Sequence, residues 1–186
     1  MERERYAVID VETTGFSPVD DRIVEVACVC VDGEQIVDRW ATLVDPEMPI
    51  PPRTTAVHGI TDAMVGGAPA IDRALTQLKE RVAGRPIVAH YARFDLSFLR
   101  RMPTHEAICT MRLARVLFPD APNHKNQTLR AVLEIDRLLG EDVGAHRALD
   151  DALVTAHVLM ACRHRFSRRY WGVSWQRFLQ ETALVS

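Results

Sequence analysis

Between Tyr6 and Asp45 the apolar positions are β-branched and crowded into three short runs, Tyr6–Val11, Arg22–Asp32 and Gln35–Asp45, which predicts strands. The last two are joined by Asp32-Gly33-Glu34, a turn-like connection that predicts a hairpin. The segment Pro46–Pro52 holds four prolines and reads as a loop leading to His58-Gly59-Ile60-Thr61. The spacing then turns helical, with Ile71, Leu75, Leu78 and Val82 on one face and Gly84 as terminator. Ile87–His90 predicts a short strand, Phe94–Met102 a helix with Phe94, Phe98 and Leu99 toward the core, and Ala107–Thr110 a further strand. Met111–Phe118 and Thr128–Glu134 read as helices separated by the polar loop Pro119–Gln127. A last helix from about Arg147 to Arg165 carries an apolar stripe of Leu149, Leu153, Ala156 and Met160. A meander followed by alternating helices and strands implies an α/β fold with a mixed sheet flanked by helices.

Length and charge narrow this picture only a little. The 186 residues, 47% of them hydrophobic, suit one domain with a substantial core. The charged start MERERY has no signal-like apolar region, and no apolar run nears the roughly 18 residues that span a membrane, so a cytoplasmic protein is expected. A net charge of −2 gives no overall attraction to nucleic acid, so phosphate binding would need local basic patches or bound cations. Cys28, Cys30, Cys109 and Cys162 form no C-x-x-C pair and read as reduced core thiols rather than a zinc site.

The chemistry gathers where apolar runs end in acids. Asp10 and Glu12 are two apart, so an extended strand points both to one face, and two like charges held that close call for a cation. Alone, such a pair is more commonly a solvated strand tip. Asp95 follows another apolar run and Asp151 lies five residues after His146, so these groups can converge at one end of a sheet. Five residues on a helix put two side chains about 140° apart. His146 and Asp151 can therefore share a site only if His146 sits on the loop before the helix, which Gly144 allows. Periodicity does not choose between Asp150 and Asp151.

The stretches DVETTG (10–15), HGIT (58–61), VAHYARFD (88–95) and HRALDDA (146–152) resemble, in order, the motifs of the DEDD superfamily of 3′→5′ exonucleases, in the subgroup whose last motif carries histidine. PPRTTAVHGITDAMV and EAICTMRLARVLFP are most similar to its exodeoxyribonuclease X branch, and polymerase proofreading subunits are a more distant likeness. The resemblance covers roughly Tyr6 to Arg165 and implies a ribonuclease H-like fold with a mixed five-stranded sheet. It implies an exonuclease domain over 1–166, beyond which the family pattern ends; the C-terminal extension over 167–186 reads by its own periodicity as helical and packed on the domain or on a partner subunit.

The same resemblance implies Asp10, Glu12, Asp95 and Asp151 as ligands of two Mg²⁺ or Mn²⁺ ions, with Asp95 bound directly or through water, and selects Asp151 over Asp150 by family spacing. Hard oxygen donors suit such ions, and a pair of them clamps the attacking and leaving oxygens of an in-line displacement. His146 is implied as general base, since an imidazole titrating near neutrality can take a proton from the attacking water. Thr13, Thr14, Phe16 and His58 fall at substrate-binding positions, Phe16 either stacking on a base or anchoring the turn in the core. Tyr91 departs from the asparagine usual after the second-motif histidine, which bears on substrate handling rather than on metal binding.

The implied activity is metal-dependent hydrolysis of DNA from its 3′ end to nucleoside 5′-monophosphates. The implied partner is DNA with a 3′ end, single-stranded or overhanging, and no membrane. An RNase with the same motifs and a non-catalytic nucleic-acid-binding or polymerase-associated module are the rivals, and a homodimer and a polymerase partner stay open. In the last stretch, Arg163, Arg165, Arg168 and Arg169 lie beside Phe166, Tyr170, Trp171 and Trp175, a mixture that can grip single strands. The spacing of Trp171, Trp175, Phe178 and Leu179 instead favours a packed helical face.

Overall fold

The computed structural model describes residues 4–102, 106–139 and 143–185. Its strands are β1 (Arg5–Thr13), β2 (Ile23–Asp32), β3 (Gln35–Leu43), β4 (Ile87–Ala89), β5 (Ala107–Cys109) and β6 (Leu184–Val185). Its helices are α1 (Pro52–His58), α2 (Asp62–Val65), α3 (Ile71–Val82), α4 (Ala92–Phe98), α5 (Thr110–Leu117), α6 (Asn126–Val132), α7 (Ala148–Arg169) and α8 (Trp175–Thr182). The sheet runs β3-β2-β1-β4-β5-β6, with β1, β3, β4 and β5 running one way and β2 and β6 reversed. It has six strands rather than the expected five. The extra strand is β6, two residues at the far end of the chain that no two-residue sequence pattern announces, pairing Leu184 with Ile108 and Val185 with Ala107.

Side-chain alternation divides the core into two layers. On β1, Tyr6 and Val8 face the layer that contains Ala152, Leu153, Ala156 and Leu159 of α7, while Ala7, Ile9 and Val11 face the layer of α3 and α4. On β2, Ala27, Val29 and Val31 face α7 and Val26, Cys28 and Cys30 face α3. Both strands are buried on both faces, which explains their nearly unbroken apolar character. Asp10 and Glu12 continue the Tyr6–Val8 series, so period two sends them to the α7 side of the sheet.

Two predicted elements differ in form. The proline-rich segment does not stay a loop up to His58: α1 starts at Pro52, because proline at the first helical position loses no helical hydrogen bond and its φ is already set. His58 closes that helix, and Gly59 caps it at φ 73°. At the other end, α7 continues to Arg169, past the 166/167 boundary, and Phe166 sits within 4.8–5.4 Å of the ring centres of Tyr170, Trp175 and Phe178. Trp175, Phe178 and Leu179 are buried in the α7 layer, and Trp175 Nε1 donates to the hydroxyl of Tyr6 at 2.9 Å. Trp171 stands apart, 86% exposed. Arg163 is held by Glu4 and lies over Trp175, and Arg165 lies over Phe118, so two of the four C-terminal arginines are committed to packing. All four cysteines are buried and free. Among the described residues no helix is long and apolar enough to cross a membrane.

Candidate active site

The C-terminal ends of the parallel neighbours β1 and β4 open into a cleft of about 460 Å³. Asp10, Glu12, Asp95, His146, Asp151 and Tyr91 line it, together with Asn126 and Gln127. Asp10 and Glu12 arrive from one face of β1. Asp151 arrives from the first turn of α7, where the positive end of the helix dipole favours a carboxylate. One carboxylate oxygen from each of Asp10, Glu12 and Asp151 lies within 4.8 Å of the others. Asp95, in the first turn of α4, is 4% exposed and stands just outside that trio.

Crowding and burial act on these acids in the same direction. Asp10 is pushed well above the usual carboxylate range by burial, then by the charges of Asp95, Asp151, Glu12 and Glu25. Glu12 is raised to about 8, by burial first and then by Asp151 and Glu25. Burial raises Asp95 to about 7 although backbone N–H groups, including that of Val11, offset part of the cost. Asp151 is also raised by burial, against the opposing pull of His146 and Gln127. A divalent cation reverses this balance, because it turns mutual repulsion into shared attraction. The donor set, all carboxylate oxygen and no thiolate, matches a hard ion such as Mg²⁺ or Mn²⁺.

Asp151 is oriented by three donors. Gln127 Nε2 donates to its Oδ1 at 2.7 Å, the N–H of His146 to its Oδ2 at 3.2 Å, and Asn126 Nδ2 to its backbone carbonyl at 3.1 Å. Asp150 points elsewhere and accepts from the N–H of Gly144. His146 sits on the loop before α7, as its separation from Asp151 requires, with φ +58° and an exposed side chain. The loop that carries Asn126 and Gln127 is tied to the end of β4 by His90, whose Nε2 lies 2.8 Å from the carbonyl of His124 and whose Nδ1 lies 2.9 Å from Thr110 Oγ1. Burial lowers His90 to about 4, so the ring is neutral at pH 7.

The expected substrate-binding residues separate into two groups. Tyr91 is 57% exposed on the cleft wall, and Phe16 is 86% exposed, edge-on to Phe94 at 6.2 Å, so Phe16 is not a core anchor. Thr13, Thr14 and His58 are buried beside the cleft. The Thr13 hydroxyl donates to the carbonyl of Gly15. The Thr14 hydroxyl donates to Asp21 and accepts from the N–H of Arg22. His58 Nδ1 accepts from the N–H of Ile60 at 3.0 Å, and burial lowers the ring's pKa. A Cβ at Gly15 would run into the carboxylate of Asp21, which is held by the Thr14 hydroxyl and the N–H of Ser17, so any larger residue there must displace that carboxylate.

Sequence reasoning missed Asn126, Gln127, Glu25 and Arg147. Glu25 carried a signal, as a lone charge inside the apolar run IVEVACVCV that needs a buried partner. Asn126 and Gln127 carried none, being polar residues in a stretch read as loop.

A model of the exonuclease family typified by RNase T matches residues 7–159. The chain is 34% identical over 168 residues to DNA polymerase III of the PolC type from Bacillus cereus, and 37% identical over 163 residues to that from Clostridium perfringens. These matches cover 86% and 84% of this chain but 11% of each polymerase, so the chain spans about a tenth of the length of these curated relatives. A solved structure of exonuclease X in complex with 5′ overhanging duplex DNA superposes with a TM-score of 0.78 at 34% identity, covering 94% of this chain and 98% of that one. The chain belongs to the exonuclease family, and within it to the DEDD 3′→5′ exonucleases.

Proposed function

We propose that this chain hydrolyses DNA from the 3′ end, releasing nucleoside 5′-monophosphates, with two Mg²⁺ or Mn²⁺ ions held by Asp10, Glu12, Asp95 and Asp151. The observation that carries the reading is the trio of carboxylates within 4.8 Å, in a cleft that His146 also lines. The near full-length likeness to exonuclease X, solved with overhanging DNA, supports DNA with a free 3′ end as substrate.

When bound, the ions supply charge neutralisation at the phosphate and at the leaving oxygen, and they acidify water. Asp10, Glu12 and Asp151 fix that charge at the end of β1, and Asp95 behind them completes the acidic wall. His146 accepts the proton of the attacking water on its imidazole, for which a neutral ring is needed. Its exposure at the cleft edge lets it pass that proton to solvent. Phe16 and Tyr91 offer aromatic faces to the terminal bases. The turn carrying Thr13 and Thr14 and the end of α1 at His58 shape the wall against the terminal nucleotide.

The test uses 5′-labelled DNA and RNA oligonucleotides of one sequence, incubated with protein and Mg²⁺ or with EDTA. The expected result is a ladder shortening from the 3′ end of DNA with Mg²⁺, none with EDTA, and none with Asp10→Ala. Several kcal/mol of charge stabilisation are lost in that variant, which corresponds to a rate lower by about 10³-fold or more. An EDTA-resistant ladder, or Asp10→Ala at wild-type rate, overturns the reading, and preferential shortening of RNA replaces the substrate.

A further inference from the structure

Glu25 lies opposite Glu12 in the β1–β2 register, and opposed residues of an antiparallel pair share a face, so its carboxylate stands beside the acidic cluster. It is 3% exposed, yet it is not one of the three carboxylates whose oxygens converge. Both of its oxygens are turned toward the start of α7. Oε1 accepts from Arg147 Nη2, while Oε2 accepts from Arg147 Nε at 3.0 Å and from the backbone N–H of Ala148 at 2.9 Å. Ala148 is the first residue of α7, whose N–H has no partner inside the helix.

His146 immediately precedes these two residues. A non-glycine residue at φ +58° is held there only when its surroundings over-determine it. Two anchors bracket it: Asp151 takes the N–H of His146 itself, and Glu25 takes the two residues that follow. Arg147, the N-cap of α7, makes no side-chain cap bond, so its side chain is free to form the fork on Glu25. A guanidinium bound through two nitrogens is fixed in plane and direction, which a single point contact does not achieve.

We propose that Glu25, through its fork with Arg147, is a positioning residue that sets the place of His146 at the edge of the cleft. This rests on the reading of His146 as proton acceptor. Glu25 touches neither substrate nor the reacting water; it acts through the backbone of residues 146–148.

The test uses Glu25→Gln and Arg147→Lys, each alone and combined with His146→Ala, with steady-state kinetics, Mg²⁺ titration and NMR of the His146 imidazole, assigned by its loss in His146→Ala. Each single variant is expected to lower kcat on the order of 10–100-fold, with KM and the Mg²⁺ midpoint near wild type. Neither should lower kcat further when His146 is already alanine, and in both the His146 resonance should shift or broaden. Wild-type kcat in either folded variant overturns the proposal, as does an unchanged His146 resonance. An equal fall in the His146→Ala background, or a Mg²⁺ shift large enough to explain the lost rate, overturns it as well. If Glu25→Gln does not fold, Arg147→Lys carries the same measurements from the half-exposed side of the pair. Wild-type turnover in His146→Ala would sink the proton-acceptor reading alone, because the NMR arm still decides the positioning.

Discussion

At its N-terminal end β1 sends Tyr6 into the aromatic cluster of Phe166, Trp175 and Phe178, and at its C-terminal end it sends Asp10 and Glu12 onto the same face of the same sheet. The first end is satisfied internally. Trp175 donates to the Tyr6 hydroxyl, Phe166 packs on three rings, and each aromatic pair adds about 0.5–1.5 kcal/mol beyond its buried area. The second end gathers like charges, which raise one another's pKa, and holds His146 in a backbone region that L side chains rarely adopt. One strand thus links a region that stabilises the fold to one that costs stability, and the rungs Tyr6–Val8 and Asp10–Glu12 differ only in what their alternation presents to α7. The acidic end persists because the aromatic end and the core between them offset it.

Breaking either end should therefore give opposite signatures. The largest expected effect is on turnover at the acidic end: His146→Ala should lower kcat by about 10²–10⁴-fold while leaving Mg²⁺ and DNA affinity near wild type. Comparison of kcat with Mg²⁺ and DNA titrations checks this, and near-wild-type turnover at saturating Mg²⁺ removes His146 from the chemistry. Next comes Trp175→Ala at the aromatic end, which empties a buried site and removes the N–H that the Tyr6 hydroxyl accepts. It should cost about 3–5 kcal/mol in denaturant unfolding, with kcat of the folded fraction little changed. The smallest is Trp171→Ala, four residues away and 86% exposed, which should shift stability by less than about 0.5 kcal/mol. A large loss there would mean that the aromatic region extends further than Trp175, Phe178 and Leu179.

The two ends were not equally legible from sequence. The alternation of β1, the same-face carboxylates and the α3 stripe of Ile71, Leu75, Leu78 and Val82 were visible because period and burial coincide. His146 had to precede the last helix because five helical residues cannot bring it round to Asp151, and the break before Ala148 is where that reasoning put it. Asn126 and Gln127 were invisible, since their donation to Asp151 joins residues 24 and 25 positions apart across two elements and leaves no local pattern. The strand β6 was invisible for a related reason. Its two residues owe their state to pairing with β5, not to any propensity of their own. Trp171 and Trp175 looked alike in spacing, and only tertiary packing separated them.

The cost of the acidic end can be read directly as a pH and metal dependence. A carboxylate whose folded pKa lies above its unfolded value binds more protons when folded, so stability is lost as pH rises through the interval between the two. For Glu12 that interval runs from 4.5 to about 8, and Asp95 is raised to about 7 within it. His90, lowered from 6.5 to about 4, has the opposite dependence, but only below pH 6.5, and Cys30, lowered from 9.0 to about 7, opposes the carboxylates above pH 7, so the comparison with Asp10→Asn isolates the acidic cluster. The most direct measurement is thermal unfolding of wild type and Asp10→Asn across that interval, in EDTA and in Mg²⁺. In EDTA the wild type should melt lower as pH rises from 6.5 to 8, and Asp10→Asn should melt higher than wild type at pH 8. Mg²⁺ should raise the wild type markedly and the variant little. A wild type indifferent to Mg²⁺, together with an Asp10→Asn variant that melts below it in EDTA, would contradict a cluster held at a cost for a cation.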